Sequence, residues 1–286
     1  MSEIDLHTHS TASDGSLDPD ELVHAGKKNH LSALALTDHD TVSGLELAMR
    51  TGQEIGLEVI PGCELSVQAP AGFMHILGLW VSPGPSSLKT ALDWMQDMRR
   101  QRNEKMLARL RSLGISIEID EVKEEARGES VGRPHIAQVL VYKGVVADLE
   151  EAFAHFIGST GAAYIPKVKL NSGQAISALK SDQATVILAH PYSLDLQALE
   201  LESELIRLKT FGLDGLEVFY PDHSLEQTEL FARLAQKLDL FISGGSDFHG
   251  RIKPDIRLGV GRGDLILPYS LVEKMKISRR MQGLPV

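Results

Sequence analysis

Short apolar runs alternate along this chain with longer stretches in which apolar residues recur at helical spacing. The short runs are typical of strands, and they cover residues 4–9, 33–37, 57–60, 73–81, 185–189, 215–219 and 240–243. The helical patterns cover residues 16–30, 43–55, 86–113, 197–211, 224–237 and 269–282. Strands that alternate with helices in this way predict an α/β fold with a parallel sheet and right-handed crossovers.

Residues that can bind metal lie on or directly after the predicted strands. His7 and His9 are two residues apart on the first strand, so both imidazoles project from one face, and Asp14 follows within one loop. Further His, Asp and Glu residues end later strands. Catalytic residues of a closed α/β barrel come from the C-terminal ends of many strands, whereas a doubly wound open sheet gathers them at one or two switch points. The dispersal therefore favours a barrel.

Nine side chains make up this candidate metal set: His7, His9, Asp14, His39, Glu64, His75, His190, Asp247 and His249. Each alone has an ordinary structural explanation, but six of the eleven histidines belong to the set. Nine ligands are too many for one ion, so they fit three ions with three ligands each, or two full sites and a weaker third. Imidazoles mixed with carboxylates suit Mn, Fe or Zn better than Mg or Ca. We therefore expect two or three divalent ions per chain, with Mn preferred.

Composition and charge narrow the function. The chain has 286 residues, 43% of them hydrophobic, and a formal net charge of −10. This acidic balance argues against an extended nucleic-acid surface but allows a small anionic substrate, because bound metal ions reverse the local charge. The single cysteine, Cys63, excludes an internal disulfide and a CxxC zinc site. Because the chain has no run of about 18 apolar residues and no signal-peptide pattern, we expect no membrane association and a cytoplasmic location.

The strand–helix pattern is interrupted in the middle of the chain. Residues 99–165 contain short helical patterns and no strand that ends in a ligand-type residue. We expect a small helical insertion here, a cap that divides the barrel into residues 1–98 and 166–286.

Clustered metal ions generate hydroxide near neutral pH and clamp the oxygens of a transferring phosphoryl group, so the metal set itself favours phosphate chemistry.

Six motifs occur in the order DLHTHSTASDG, LTDHDT, the Glu of PGCELS, the His of FMHILGL, the His of AHP, and GSDFH. Together they closely resemble the PHP (polymerase and histidinol phosphatase) family, over most of the chain outside residues 99–165. The resemblance implies a distorted seven-stranded (β/α)7 TIM-like barrel and a trinuclear metal centre that uses the nine residues above. By this likeness one ion takes His7, His9, Glu64 and Asp247, a second takes Glu64, His75 and His190, and a third takes Asp14, His39 and His249.

Within that family the chain is similar to stand-alone bacterial enzymes that act on nucleoside 3′,5′-bisphosphates and on short 5′-phosphorylated RNA. The resemblance implies hydrolysis of a phosphate monoester by metal-activated hydroxide, with the 3′-phosphate of a nucleoside 3′,5′-bisphosphate as the preferred group and short RNA as a related substrate. Three alternatives stay open: a histidinol-phosphate-type phosphatase, a metal-bound module without catalysis, and a polymerase-associated editing module acting in trans. The sequence does not predict the oligomeric state.

His190, His249 and Asp247 are expected to be catalytic as well as metal-binding, with His190 or His249 orienting the nucleophile. The candidate substrate-binding residues are Arg133, His135, Lys169, Glu217 and His223.

Each of these candidates has a second interpretation. Arg133 suits a bidentate grip on phosphate, and a salt bridge that holds the cap shut fits equally well. His135 is expected to contact phosphate or protonate a leaving oxygen, with a structural role as the alternative. Lys167 and Lys169 share a face, so one of them is expected to point into the pocket, unless both lie on a solvated strand edge. Glu217 is expected to support a metal ligand or bind substrate hydroxyls.

Overall fold

Seven strands form one curled sheet in a computed structural model that describes residues 3–126 and 131–286. The spatial order of the strands is their order in the chain. They are β1 (Ile4–Thr8), β2 (Ala33–Leu36), β3 (Glu58–Val67), β4 (Met74–Leu79), β5 (Thr185–Leu188), β6 (Gly215–Phe219) and β7 (Phe241–Gly244). Beyond the ends of β1 and β7, Thr8 pairs in parallel with Phe248, and the His9 N–H donates to the Phe248 carbonyl at 3.0 Å. The sheet thus curls until its first and last strands meet at their C-terminal ends.

Strand β4 departs from the predicted parallel arrangement. It runs antiparallel to both β3 and β5, while the pairs β1–β2, β2–β3, β5–β6 and β6–β7 are parallel. The segment 68–73 between β3 and β4 is far too short for the crossover that parallel neighbours need, so the two strands form a hairpin. Strand β3 also runs further than the predicted 57–60, because its pairing with β4 continues as far as Val67. This extension places Glu64 in the middle of the hairpin.

Helices cover the sheet between these strands. In the described part of the chain they are α1 (Pro19–Lys28), α2 (Leu45–Ile55), α3 (Ser87–Ser112), α4 (Ile119–Ala126), α5 (Arg133–Tyr142), α6 (Leu149–Ala152), α7 (Ser172–Ser181), α8 (Ala198–Phe211), α9 (Leu225–Lys237) and α10 (Ser270–Met281). Helix α7 is not among the predicted helices; it begins at an Asn171 cap whose side chain accepts from the Gln174 N–H at 2.9 Å. No helix in the described residues is long and apolar enough to cross a membrane.

The long helix α3 joins two hydrophobic clusters. Its first half contributes Leu88, Leu92 and Met95 to the core that packs against the sheet. Its second half contributes Met106, Leu107 and Leu110 to a separate core built with α4, α5 and α6. The expected insertion, residues 99–165, includes positions 127–130, which lie outside the described residues. The helical layer therefore has its own apolar core and is attached to the barrel through α3.

Candidate metal centre and phosphate cleft

The first strand presents two imidazoles to the end of the barrel. The side chains of His7 and His9 are fully buried, and their Nε2 atoms lie 3.3 Å from the same Glu64 oxygen, Oε2. The His9 Nε2 is also 3.2 Å from Asp247 Oδ1, and the His7 Nε2 is 3.6 Å from it. Strand β1 and the loop after β7 approach this closely because position 245 is glycine: a Cβ on Gly245 would lie 2.3 Å from the His7 Cβ.

The carboxylate of Glu64 lies at the centre of the cluster. Its Oε1 is 2.8 Å from His75 Nδ1 and 3.1 Å from His190 Nε2, and those two nitrogens are 3.3 Å apart. Its Oε2 faces the other half of the cluster, where His39 Nδ1 lies 2.9 Å away. Imidazole nitrogens therefore lie close to both oxygens of this one carboxylate.

A third group of ligand-type atoms surrounds Asp14, in the loop after β1. Its Oδ1 is 3.4 Å from His249 Nε2 and 3.9 Å from His9 Nδ1, and its Oδ2 is 3.9 Å from His39 Nε2. All nine predicted side chains thus come together. They form four overlapping groups in which every ligand atom lies within 4.8 Å of the others: His9–Asp14–His39–His249, His7–Glu64–His190, His7–His9–Asp247 and His39–Glu64–His75.

The donor atoms fit divalent metal ions because buried nitrogens and oxygens converge there without hydrogen bonds. Among the described residues, no hydrogen-bond partner is found for His7 Nε2, for either ring nitrogen of His9, or for Glu64 Oε2. Buried polar atoms rarely stay unsatisfied unless an ion or a water completes them. Imidazole nitrogen and carboxylate oxygen are also the ligand types that Mn, Fe and Zn share.

Neighbouring groups fix which nitrogen of several rings faces the centre. Glu217 Oε1 lies 3.0 Å from His7 Nδ1, so this nitrogen donates outward and Nε2 is left for the centre. The His190 Nδ1 donates to the Ser193 hydroxyl at 3.0 Å, because that hydroxyl donates its own hydrogen to the Phe73 carbonyl. Such outer partners orient metal-binding histidines and raise their basicity.

Asp247 is held by two residues that the sequence analysis did not single out. The Tyr220 hydroxyl donates to Asp247 Oδ2 at 2.7 Å, and Lys253 Nζ lies 2.5 Å from the same oxygen. Oδ1 is left to face the imidazoles of His7 and His9. Asp247 itself has φ of +53°, and His190 has φ of +25°, so both backbones lie in the region that non-glycine residues rarely adopt. The tertiary structure must hold both in place.

Electrostatics keep the three carboxylates of the centre ionised. Burial alone raises the pKa of Glu64, but the imidazoles of His39 and His75 hold it well below its usual range. The pKa values of Asp14 and Asp247 are also held well below their usual range against the effect of burial, and His249 is among the main causes for each. Burial lowers the pKa of His9, yet the nearby carboxylates of Asp247 and Glu64 raise this pKa to about 9. A centre with two buried carboxylates and a third that is partly buried needs positive charge, which metal ions supply when bound.

A cleft of about 720 Å³ lies between the cluster and the helical layer. Asp14, His39 and His75 line it. Five cations line it as well: Arg99, Arg102, Arg133, Lys167 and Lys169. One carboxylate, that of Asp40, is bound by both Arg99 and Lys167, the latter at 2.6 Å. The cleft is therefore strongly basic in a chain whose overall charge is −10.

The five cations that line the cleft form the basic cluster. Arg102 is its least expected member, because this arginine is only 7% exposed. Its guanidinium bonds to the Asn103 side-chain oxygen at 3.1 Å, and among the described residues it forms no ion pair with a carboxylate. Burial, with Arg99 and Arg133 nearby, lowers its pKa to about 10. A buried arginine without a paired carboxylate is costly to the fold unless an anion compensates its charge.

The candidate substrate-binding residues do not all lie in this cleft. Arg133 lines it, with its guanidinium 5.5 Å from the Phe153 ring centre and 5.8 Å from that of Tyr164. Lys169 lines it as well. Within the described residues, Arg133 forms no salt bridge that holds the cap shut. His135 is not among the residues that line the cleft; its Nδ1 accepts a hydrogen bond from the Gly132 N–H at 3.0 Å, at the start of α5.

Glu217 and His223 lie outside the cleft lining. Glu217 is fully buried beneath His7 and also accepts the His190 N–H at 2.7 Å. His223 donates from Nδ1 to the Val218 carbonyl at 2.9 Å, and its ring centre is 5.2 Å from that of Tyr220. Tyr220 in turn separates His223 from His190, with 5.4 Å between the ring centres of Tyr220 and His190.

Comparison with known proteins agrees with this geometry. A model of the PHP domain matches residues 5–166. The chain is 34% identical over 247 residues to a 5′-3′ exoribonuclease of Haemophilus influenzae, covering 86% of this chain and 90% of the relative. It is 31% identical over 250 residues to a 3′,5′-nucleoside bisphosphate phosphatase of Chromobacterium violaceum, covering 87% and 88%. A crystal structure from Bifidobacterium adolescentis, named as a predicted metal-dependent phosphoesterase, superposes with a TM-score of 0.85 at 31% identity and covers 96% of each chain.

Proposed function

This chain belongs to the PHP domain family and is a metal-dependent phosphoesterase, and from that premise we propose that it removes the 3′-phosphate of nucleoside 3′,5′-bisphosphates. Cleavage of short 5′-phosphorylated RNA from its 5′ end is the related activity, as the name of the H. influenzae relative suggests. The observation that carries the proposal is the basic cluster that lines the same cleft as part of the candidate metal centre, because a substrate with two phosphates needs two anion sites.

The nine side chains around Glu64 would hold two or three divalent ions, with Mn as the first candidate. Ions at such sites supply positive charge to phosphate oxygens and lower the pKa of water. Glu64 would bridge two of them, since imidazoles approach both of its oxygens. Glu217, Tyr220 and Lys253 orient the ligands from outside through their contacts with His7 and Asp247.

His190 and His249 are the residues of this centre that we assign to orienting the nucleophile. The His249 Nδ1 donates to the Asp247 carbonyl at 2.8 Å, and the His190 Nδ1 donates to Ser193, so neither ring can rotate freely. Both rings therefore present Nε2 inward with a fixed direction. Asp247 shares this role because its Oδ1 is aimed at the same point by Tyr220 and Lys253.

His135 would assist departure of the leaving oxygen. Its Nδ1 accepts from the Gly132 N–H, so in the neutral ring Nε2 carries the hydrogen and can donate it. Burial lowers the pKa of His135, while Asp14 is close enough for its charge to oppose that shift. A neutral ring that donates from Nε2 is suited to hydrogen-bond the developing negative charge.

The second phosphate would bind to the basic cluster. Arg133 and Lys169 belong to it as expected from the sequence, and Arg99, Arg102 and Lys167 join them. Arg99 and Arg102 lie on α3, and Arg133 lies at the start of α5. We propose residues 99–165 as a cap whose separate core, on α3 to α6, carries these arginines to the cleft.

Phosphate release from a panel of esters tests the function. Adenosine 3′,5′-bisphosphate, histidinol phosphate and an aryl phosphate are compared with Mn-reconstituted full-length protein, and the nucleotide product is identified by chromatography. We expect a strong preference for the bisphosphate with 5′-AMP as product. Formation of 3′-AMP, or equal rates on all three esters, would contradict the proposed substrate and leave the metal-dependent hydrolase in place.

A further inference from the structure

Phe73 is a large apolar side chain left exposed at the entrance of the cleft. It is 44% exposed, immediately before β4, and it lines the cleft together with His75. Its ring centre lies 5.6 Å from those of both His75 and His190. The apolar ring therefore stands beside the candidate metal centre with nearly half of its surface open to solvent.

Hydrogen bonds fix the main chain of Phe73 in this position. Its N–H donates to the Ser193 carbonyl at 2.9 Å, and its own carbonyl accepts from the Ser193 hydroxyl at 2.9 Å. Gly72, with φ of +55°, allows this approach, because a Cβ there would lie 2.1 Å from the Ser193 oxygen. Such fixation is what a binding platform requires, because little conformational freedom is then lost when a ligand packs on the ring.

The other phenyl and phenol rings that line the cleft are already engaged. Phe153 and Tyr164 each lie within 6 Å of the Arg133 guanidinium, with centroid distances of 5.5 and 5.8 Å. They therefore position a cation of the basic cluster. Among these three lining residues, Phe73 differs in two ways: it lies beside the candidate metal centre, and no cation lies against its ring.

We propose that Phe73 is the platform on which the nucleobase of the substrate stacks, a proposal that rests on the function proposed above. With one phosphate at the metal centre and the other at the basic cluster, the sugar lies between them and the base projects to the side. A phenyl ring accepts any base on its face, so the platform selects nucleoside phosphates over sugar phosphates without reading sequence. Phe73 would therefore determine substrate specificity and would take no part in the chemical step.

Equilibrium binding tests the platform without depending on turnover. Calorimetry on the metal-reconstituted full chain compares AMP with ribose 5-phosphate, which carries a hydroxyl at C1′ where AMP carries the base. We expect AMP to bind about tenfold more tightly to the wild type. Phe73→Ala should remove this preference, and Phe73→Trp should retain it. Equal affinities for the two ligands in the wild type, or an unchanged preference in Phe73→Ala, would overturn the proposal.

Two further variants separate stacking from packing. Phe73→Leu keeps an apolar cover over His75 and His190 but lacks a π face, so it should lose the preference while the metal content measured by mass spectrometry stays that of the wild type. Val168→Ala changes another exposed apolar residue, 51% exposed on the segment that returns from the cap, and should keep the preference. A preference that survives in Phe73→Leu would contradict stacking.

The two proposals fail in different ways. If base-dependent binding is lost with Phe73 but no phosphate is released from the bisphosphate, the stacking platform stands and the proposed reaction is wrong. If the bisphosphate is hydrolysed to 5′-AMP but its KM rises equally for base-bearing and abasic bisphosphates in Phe73→Ala, the reaction stands and the platform is wrong.

Discussion

The hydroxyl of Tyr220 donates a 2.7 Å hydrogen bond to Oδ2 of Asp247, on the side of that carboxylate that faces away from the imidazole cluster. Lys253 approaches the same oxygen at 2.5 Å. One oxygen of Asp247 is thus occupied by protein donors, and the other is directed at His9. The orientation of a candidate metal ligand is therefore set by two residues that are not themselves members of the candidate metal set.

Removing the tyrosine hydroxyl should weaken metal binding. Tyr220→Phe deletes one charge-assisted hydrogen bond, worth about 1.5–3 kcal/mol, so we expect roughly a ten- to hundredfold loss of Mn affinity in a chelator competition. Tyr269→Phe is the matched control, because its hydroxyl donates to Glu58 at 2.6 Å away from the centre. Wild-type Mn affinity in Tyr220→Phe would show that Asp247 needs no such support.

We expect Glu217 to raise the metal affinity of the centre by orienting His7. Glu217→Ala removes the acceptor 3.0 Å from His7 Nδ1, and loss of such outer partners typically costs about 10–100-fold in metal affinity. Calorimetric titration with Mn measures this directly. Glu204→Gln, in a glutamate of α8 that pairs with Arg207, should bind Mn normally. If both variants bind Mn equally well, the proposed support of His7 is wrong.

We expect Arg102 to strengthen substrate binding and to lower the free energy of unfolding. Arg102→Met places an apolar side chain where a 7% exposed guanidinium now lies without a carboxylate among the described residues, so the free energy of unfolding should stay equal or rise by about 1 kcal/mol or more. The KM for adenosine 3′,5′-bisphosphate should rise about tenfold, because one cation of the second phosphate site is lost.

The control for Arg102 lies on the same helix. Arg111→Met removes an exposed arginine that lies 3.9 Å from Glu118, outside the cleft, and should change neither quantity by much. Strong destabilisation by Arg102→Met with an unchanged KM would identify Arg102 as a structural residue only.

Lys167 should make binding of the bisphosphate dependent on pH. Burial, then the neighbouring Arg99, lowers the pKa of Lys167 to about 7, although Asp40 opposes the shift. The ammonium is therefore lost in the folded protein as pH rises through about 7, while arginine in its place stays charged. The KM ratio of wild type to Lys167→Arg should be near one at pH 6 and rise severalfold by pH 8.5. A ratio that does not change with pH would contradict this assignment.

The same shift has a consequence for stability, with a definite sign. Between pH 7 and the ordinary lysine pKa of 10.5, the unfolded chain binds more protons at Lys167 than the folded chain does. Stability must therefore rise with pH in this window relative to a variant without the titration. Urea unfolding of wild type and Lys167→Met across the window measures the difference, and an opposite slope would be inconsistent with a lowered pKa.

The local sequence pattern predicted those strands and helices whose own residues show a clear hydrophobic period. His7 and His9 could be placed on one strand face from period alone, and helices such as α8 and α9 lie within a residue or so of the predicted bounds. All nine predicted metal residues come together, because each was tied to a strand and the sheet brings those strands to one end of the barrel.

The features that pattern did not predict depend on contacts far apart in the chain. Strand β4 is antiparallel because of the short hairpin at 68–73, and alternation of strands and helices alone does not show that. Arg102 lies in a charged helical run that has the pattern of a solvated face, and its burial comes from packing of the cap against α3. Tyr220 and Lys253 carry no motif of their own, and only the fold brings them to Asp247.

The most direct test of the account is a metal titration of stripped protein. Full-length wild type is freed of metal with a chelator, titrated with Mn, and assayed for phosphate release from adenosine 3′,5′-bisphosphate, with His9→Ala and Asp247→Ala in parallel. We predict no release without metal, release that saturates at two or three Mn per chain in the wild type, and none in either variant, although both keep the wild-type circular dichroism spectrum. Full activity in metal-free protein, or in either variant, would contradict the account.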